Sequence, residues 1–224
     1  LTGHFDTGGF AHTLLTGVEY EDYDYKSIIQ RSAAGTSAYP INLFNPILGQ
    51  ARPALTRTTT HDKENLKTWA AFVQDQVALT ERLSALAGVR FERFEHQYDN
   101  YLPNSQGWDA ADNAVTPRFG LIYALTDTLS VYANTARSFK PNTGASSNGA
   151  GFDPEKGKSY ELGLKWEALE GQLSVDSAIY HIVKENVLTR DPVEPNYSVA
   201  AGQVRSRGLD INVAGNLTDR KSVV

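Results

Sequence analysis

The residue types that most often do chemistry are present here, but not in arrangements that do it. Five histidines, His4, His12, His61, His96 and His181, are scattered over 224 residues. None pairs with another at helical i,i+4 spacing or sits in a zinc-like ligand cluster. There is no cysteine, which removes disulfides, thiolate metal sites and cysteine nucleophiles together. No nucleophile elbow or paired-carboxylate signature stands out. The glycine-rich stretch 144–151 has no helix after it to aim N–H groups at a phosphate. The run His61-Asp62-Lys63-Glu64 reads as a solvated loop. The expectation is a protein that is not an enzyme and has no metal site or cofactor of its own.

The chemistry left is non-covalent. Arg90, Glu92, Arg118, Glu161, Lys165, Asp210 and Asn212 fall at alternate positions of segments whose intervening residues are largely apolar. They form a polar face, free to pair across a lumen or with neighbouring strands at about 0.2–1 kcal/mol each. Tyr39, Phe44, Tyr98, Tyr101, Trp108 and Phe139 lie in or beside polar loops. Such aromatics can grip a bulky ligand, since loops carry function disproportionately. They can equally pack the loops themselves. The net charge is −5 and no basic stripe is visible, so nucleic acid is not an expected partner.

What must position these residues is a set of strands. Eight candidates run over about 10–25, 66–79, 83–98, 115–125, 128–139, 157–168, 171–188 and 197–217. Short turns fall at Thr80-Glu81-Arg82, Thr126-Asp127 and Leu169-Glu170. Long polar stretches, 26–65, 99–114, 140–156 and 189–196, alternate with them. Within the strands the period is two. Tyr160, Leu162, Leu164 and Trp166 oppose Ser159, Glu161, Gly163 and Lys165; Leu129 and Val131 oppose Ser130 and Tyr132. A half-buried soluble sheet would alternate in the same way. Length and loop order separate the two. Several segments reach 11 to 17 residues, where strands of soluble proteins centre on about 5–6 and a tilted membrane strand needs about 9–11. Outer-membrane barrels keep short turns on the periplasmic side and long loops outside. No run of 18 apolar residues exists, so a helical membrane protein is excluded.

Arg205 and Arg207 share parity with the apolar Leu209. Either a bulge near Gly208 shifts the phase, or both lie above the apolar band and face lipopolysaccharide phosphates. An arginine at mid-bilayer on the lipid face would cost roughly 2–4 kcal/mol.

Six stretches, in order, resemble TonB-dependent siderophore receptors of the ferrichrome and hydroxamate type. His12-Thr13-Leu14-Leu15-Thr16-Gly17-Val18-Glu19-Tyr20 follows Phe5-Asp6-Thr7-Gly8. Val73-Gln74-Asp75-Gln76-Val77 and Gly88-Val89-Arg90-Phe91-Glu92 come next. Thr116-Pro117-Arg118-Phe119-Gly120 leads on to Arg137-Ser138-Phe139-Lys140-Pro141. Glu155 to Trp166 and Gly202-Gln203-Val204-Arg205-Ser206-Arg207-Gly208 complete the series.

The resemblance implies an all-β, antiparallel, up-and-down transmembrane β-barrel, here partial: about eight strands of a larger plugged barrel, for which 22 strands is typical. Residues 1–219 are the barrel segment, and 220–224 a truncated or atypical end. With no Met and no signal segment after Leu1, an internal stretch of a longer chain is expected. The implied function is ferric-siderophore uptake through the bacterial outer membrane, energised by TonB through a plug region outside this chain. Iron arrives as a siderophore chelate, so no cofactor is needed. Outer-membrane lipid and lipopolysaccharide are the implied surroundings. A passive porin-like or structural barrel, and a soluble all-β binding protein, are the alternatives.

Overall fold

The structure, a computed structural model, describes residues 1–32, 42–49, 54–143, 146–194, 197–200, 202–218 and 221–223. Among these, the elements in chain order are β1 (Thr2–Thr7), β2 (Phe10–Arg31), β3 (Arg57–Ala78), β4 (Leu83–Asn100), β5 (Trp108–Ala124), β6 (Leu129–Lys140), β7 (Glu155–Ala168), β8 (Leu173–Glu185), β9 (Leu188–Arg190), β10 (Ser198–Ala200), β11 (Gln203–Thr218) and β12 (Lys221–Val223). Ten of them form one antiparallel sheet in the order β1-β2-β3-β4-β5-β6-β7-β8-β11-β12, and β9 pairs with β10 apart from it. Within the large sheet each strand pairs with the next one in the chain, the β9–β10 hairpin standing in the connection between β8 and β11, which is up-and-down topology. The sheet does not close on itself within the described residues.

The short turns share one end of the sheet and have local causes. In Thr80-Glu81-Arg82-Leu83 the Thr80 hydroxyl oxygen accepts the N–H of Arg82 at 3.2 Å and of Leu83 at 2.9 Å. Thr126 does the same for Thr128 at 3.3 Å and Leu129 at 3.0 Å. These are hydroxyl-capped turns, built twice from the same Thr-x-x-Leu spacing. Between β1 and β2, Gly8 and Gly9 have φ of 57° and 90°, a left-handed conformation that glycine adopts without steric cost.

The strands outrun their sequence signal. β2 and β3 have 22 residues each, roughly 75 Å of extended chain, and each exceeds its expected span at the long-loop end. There the apolar alternation stops while the ladder continues. Polar cross-strand pairs replace it: Asn65 Nδ2 donates to Asp22 at 2.9 Å and Asp24 at 3.0 Å, and Lys63 Nζ lies 3.3 Å from Asp24. The Asn65 and Lys63 contacts hold the Asp24 carboxyl below its ordinary value. His61-Asp62-Lys63-Glu64 is therefore part of β3 rather than a solvated loop. β1, β12 and the β9–β10 hairpin are too short or too polar to show a period.

Two faces follow from the register. Thr68, Ala70, Phe94, His96 and Ala114 are buried and lie on one face, the inner one. Exposed Phe119, Leu121, Tyr160, Leu162, Leu164, Trp166, Ile179, Leu209, Ile211 and Val213 lie on the other. Their rows are continuous: Ala87, Phe119, Thr135, Tyr160, His181 and Arg207 are successive cross-strand partners. An exposed apolar face of this extent needs a partner, and lipid is the partner such a face has in a membrane barrel.

On the inner face, three glycines sit under aromatic rings of their cross-strand partners. A β-carbon would lie 2.7 Å from the Phe72 ring at Gly17, 2.5 Å from Tyr132 at Gly163, and 2.7 Å from the Tyr180 hydroxyl at Gly208. A ring folded over a bare glycine fills the gap its missing side chain leaves.

Candidate functional site: the inner wall and its mouth

Arg90, Glu92, Arg118, Glu161, Lys165, Asp210 and Asn212 all project from the inner face. The alternation that placed them also sets their neighbours. Arg90 is held on both sides, with Nε donating to Glu92 at 2.8 Å and an η-nitrogen donating to Glu19 on β2 at 2.7 Å. Lys165 lies 3.3 Å from Asp176 on β8. Asn134 Nδ2 donates to Glu161 at 3.2 Å. Arg118 extends over Gly88, where a β-carbon would be 3.1 Å from its Nε. These are contacts within the wall, each worth only tenths of a kcal/mol to about 1 kcal/mol.

Toward the long loops the inner face becomes aromatic. The Trp108 ring meets His96 edge-on at 4.6 Å and stacks with Tyr98 at 5.8 Å. Its third neighbour is Gly151, which leaves no room for a side chain there: a β-carbon would lie 3.1 Å from the indole. His96 is 2 % exposed, with Nε2 3.7 Å from Glu64. Phe139 packs on Phe94 at 5.3 Å. Trp108, Tyr98 and Phe139 are therefore wall-packing residues as much as ligand candidates. Tyr101 is half exposed and tilts against His61 at 5.0 Å, anchored by its N–H to the His61 carbonyl at 2.7 Å. Phe44 stands almost fully exposed. Tyr39 falls outside the described residues.

Above this cluster opens a cavity of about 900 Å³, lined by Arg31, Arg57, Asp62, Tyr98, Asn100, Asn104, Gln106, Asn148 and Tyr197 among others. Its floor is ordered by a chain of contacts. The Asn100 amide reaches the Tyr98 hydroxyl at 3.3 Å, which lies 3.4 Å from Asp62. Burial, then the charges of Asp62 and Glu64, push the Tyr98 hydroxyl up to about 12, so it stays a donor. Burial and the neighbouring Glu64 also raise the Asp62 carboxyl. At the rim, Arg31 and Arg57 are direct cross-strand partners. Both arginines line the cavity, and neither makes an ion pair with another described residue. Like charges directly opposite destabilise a sheet, and an anion between them removes that cost. Neither arginine stood out in the sequence, because 25 residues separate them in the chain and only the register brings them together.

The outer face carries one polar cluster at its short-turn end. His12 Nδ1 donates to Asp75 at 2.6 Å, Thr7 Oγ1 lies 2.7 Å from His12 Nε2, and the Phe5 ring stacks on the imidazole at 4.9 Å. A carboxylate on a lipid-facing wall is tolerable when paired and covered in this way. The pairing of β8 with β11 runs from Gln203 to Gly215 without a shift, so no bulge precedes Gly208. Arg205 and Arg207 keep the outer parity and sit at the long-loop end.

Long antiparallel strands, an apolar outer face, a polar inner face and long connections at one end define the wall of an outer-membrane β-barrel receptor. Residues 1–222 match the family described as TonB dependent receptor-like, beta-barrel, and the chain belongs to it. Members are outer-membrane receptors rather than enzymes. The chain is 37 % identical over 229 residues to the metal-pseudopaline receptor CntO of Pseudomonas aeruginosa strain UCBPP-PA14, covering 100 % of this chain and 32 % of that protein. It is 30 % identical to the ferrioxamine B receptor of Salmonella typhimurium, covering 98 % of this chain and 30 % of that one. Among solved structures, the ferric preacinetobactin receptor BauA of Acinetobacter baumannii superposes with a TM-score of 0.73 at 26 % identity, over 97 % of this chain and 33 % of that one. The chain thus spans about a third of the length of the curated relatives it matches. These likenesses do not single out the ferrichrome type.

Proposed function

We propose that this wall belongs to a receptor that carries a chelated metal ion, a ferric siderophore or a related metallophore, across the outer membrane. The observation that carries the reading is the mouth cavity with Arg31 opposite Arg57 and amide and hydroxyl donors below. Metal chelates of this kind present anionic oxygen atoms on a bulky, partly apolar body. Guanidiniums match such oxygens bidentately, and Tyr98, Tyr101 and Trp108 offer the aromatic surface. The names of the relatives support the cargo class. The metal is cargo and arrives with its ligands, so the wall needs no metal site of its own. Energy comes from TonB acting on a plug region outside this chain.

Growth under iron limitation tests this reading. A strain whose only chelate receptor is the full-length protein should grow on at least one member of a siderophore and metallophore panel, and only while TonB is present. Growth that survives loss of TonB would instead favour a passive pore.

A further inference from the structure

Above the last rung of the β6–β7 ladder, side-chain amides take over from backbone pairing. That rung joins Lys140 to Glu155. Extended by one residue, the register puts Pro141 opposite Pro154. Neither proline has an N–H to donate, so the ladder stops there. One step further out, Asn142 stands opposite Asp153. Its side-chain amide has two hydrogens, and both are used. Nδ2 donates to the Asp153 carbonyl at 2.7 Å and to the Asn186 carbonyl at 2.8 Å. Asn186 follows Glu185, the last residue of β8. Its own Nδ2 donates to the Pro154 carbonyl at 2.9 Å, and its backbone N–H to the Gly202 carbonyl at 2.8 Å. The φ of Asn186 is 58°, a left-handed conformation that asparagine tolerates better than most residues with a β-carbon. Position 186 therefore suits asparagine twice, once for its backbone and once for its amide.

These bonds tie together two long connections, 141–154 and 186–202. Each has order of its own. In the first, the Ser146 N–H donates to the Ala150 carbonyl and the Gly149 N–H to the Ser146 carbonyl, both at 2.9 Å. In the second, β9 and β10 pair from Leu188 with Ala200 to Arg190 with Ser198. Both supply wall to the mouth cavity: Ser147, Asn148 and Gly149 come from the first, Tyr197 and Ser198 from the second. The first is also seated on the barrel, where Gly151 lies against the Trp108 indole. Two units with internal order alone could still shift against each other. The amides of Asn142 and Asn186 join them at the neck, and neither residue is among those lining the cavity.

We propose that Asn142 and Asn186 are positioning residues for the mouth. Their amides clasp the two connections into one unit, so that Asn148 and Tyr197 meet the cargo as a single preformed surface. Neither asparagine touches the cargo. A surface that must be ordered as its ligand arrives loses part of its contact energy to that ordering, and a preformed one does not. Aspartate at 142 keeps the shape of the side chain and loses both donors. Glycine at 186 keeps the backbone angle and loses only the bond to Pro154. The assignment rests on the mouth being the chelate site, and adds to it the residues that hold its loop side together.

The test uses the full-length receptor with nitroxide labels at Ala150→Cys and Thr189→Cys, one exposed position on each connection. Pulsed electron paramagnetic resonance reads the distance between the labels with no chelate present. With both asparagines in place the distribution should be single and narrow. Asn142→Asp should widen it at least twofold. Asn186→Gly should widen it less, because the bond from Asn142 to the carbonyl at 186 remains. Without labels, Asn142→Asp should bind the chelate selected by the growth panel about tenfold more weakly, as expected for the loss of one or two neutral hydrogen bonds. Barrel melting should not change, since the ladders of β6, β7 and β8 are untouched. The gel shift between folded and heat-unfolded barrel checks folding, and if Asn142→Asp does not fold, Asn142→Ala decides. An unwidened distribution would overturn the clasp. A widened distribution with wild-type affinity would overturn the positioning role. A panel that selects no chelate would sink the transport reading and the positioning role with it, while the label distances still decide the clasp.

Discussion

The ring of Tyr132 on β6 occupies the space that a side chain on Gly163 of β7 would need. The two are direct cross-strand partners on the inner face. Gly163→Val should therefore displace the ring and cost about 1–3 kcal/mol, as overpacking does. Gly120 is the contrast, since its nearest neighbour to an added β-carbon is 3.8 Å away. Thermal unfolding of the full receptor should show a clear loss for Gly163→Val and almost none for Gly120→Ala. Equal losses would mean that the ring moves freely.

His12 and Asp75 form an ion pair through Asp75 Oδ2 on the outer face. Replacing His12 by Ala leaves a carboxylate facing lipid without its donor, at a cost of about 1–3 kcal/mol. Removing both, as His12→Phe with Asp75→Leu, should recover most of that. A double-mutant cycle of unfolding free energies reads the coupling. Additive effects would mean that the pair contributes nothing.

The aromatic candidates divide by packing. Trp108→Ala opens a hole between Tyr98, His96 and Gly151, and should lower barrel stability by about 3–5 kcal/mol. Tyr101→Ala, half exposed, should leave stability within about 0.5 kcal/mol and alter only chelate affinity. The two readouts, melting and binding, should therefore move for different variants.

Asp62 gives a pH dependence whose sign is fixed. Burial and Glu64 raise its carboxyl above the ordinary 3.8, so the folded mouth holds its proton more tightly than the unfolded chain does. Its contribution is complete below pH 3.8 and is lost as pH rises through the raised value. Asp62→Asn should thus increase hydrogen-exchange protection of the outer part of β3 at pH 7 and flatten its change toward acid. Greater protection of wild type at pH 7 than at pH 4 would contradict this.

Sequence alone revealed the middle of each strand well and the ends poorly. In β7, Tyr160, Leu162, Leu164 and Trp166 alternate with Glu161 and Lys165, because lipid and lumen demand opposite chemistry at successive positions. Beyond the bilayer that demand ends. The part of β2 beyond Tyr25 and the part of β3 before Leu66, with Lys63 and Asn65, keep the ladder but carry no apolar period, and so read as loop. The inner-face charges followed from parity. The Arg31–Arg57 pair did not, because register joins residues across a long connection and no local pattern records it. The parity of Arg205 and Arg207 was legible, while the absence of a bulge before Gly208 needed the β8–β11 register.

The central claim is that an anionic metal chelate binds at the mouth between Arg31 and Arg57. Equilibrium binding of the chelate that supports growth, to full-length wild-type receptor and to the Arg31→Ala, Arg57→Ala variant, tests it most directly. Loss of two charge-assisted contacts should weaken binding by about 100-fold with the barrel still folded. Affinity unchanged in the folded variant would contradict the account.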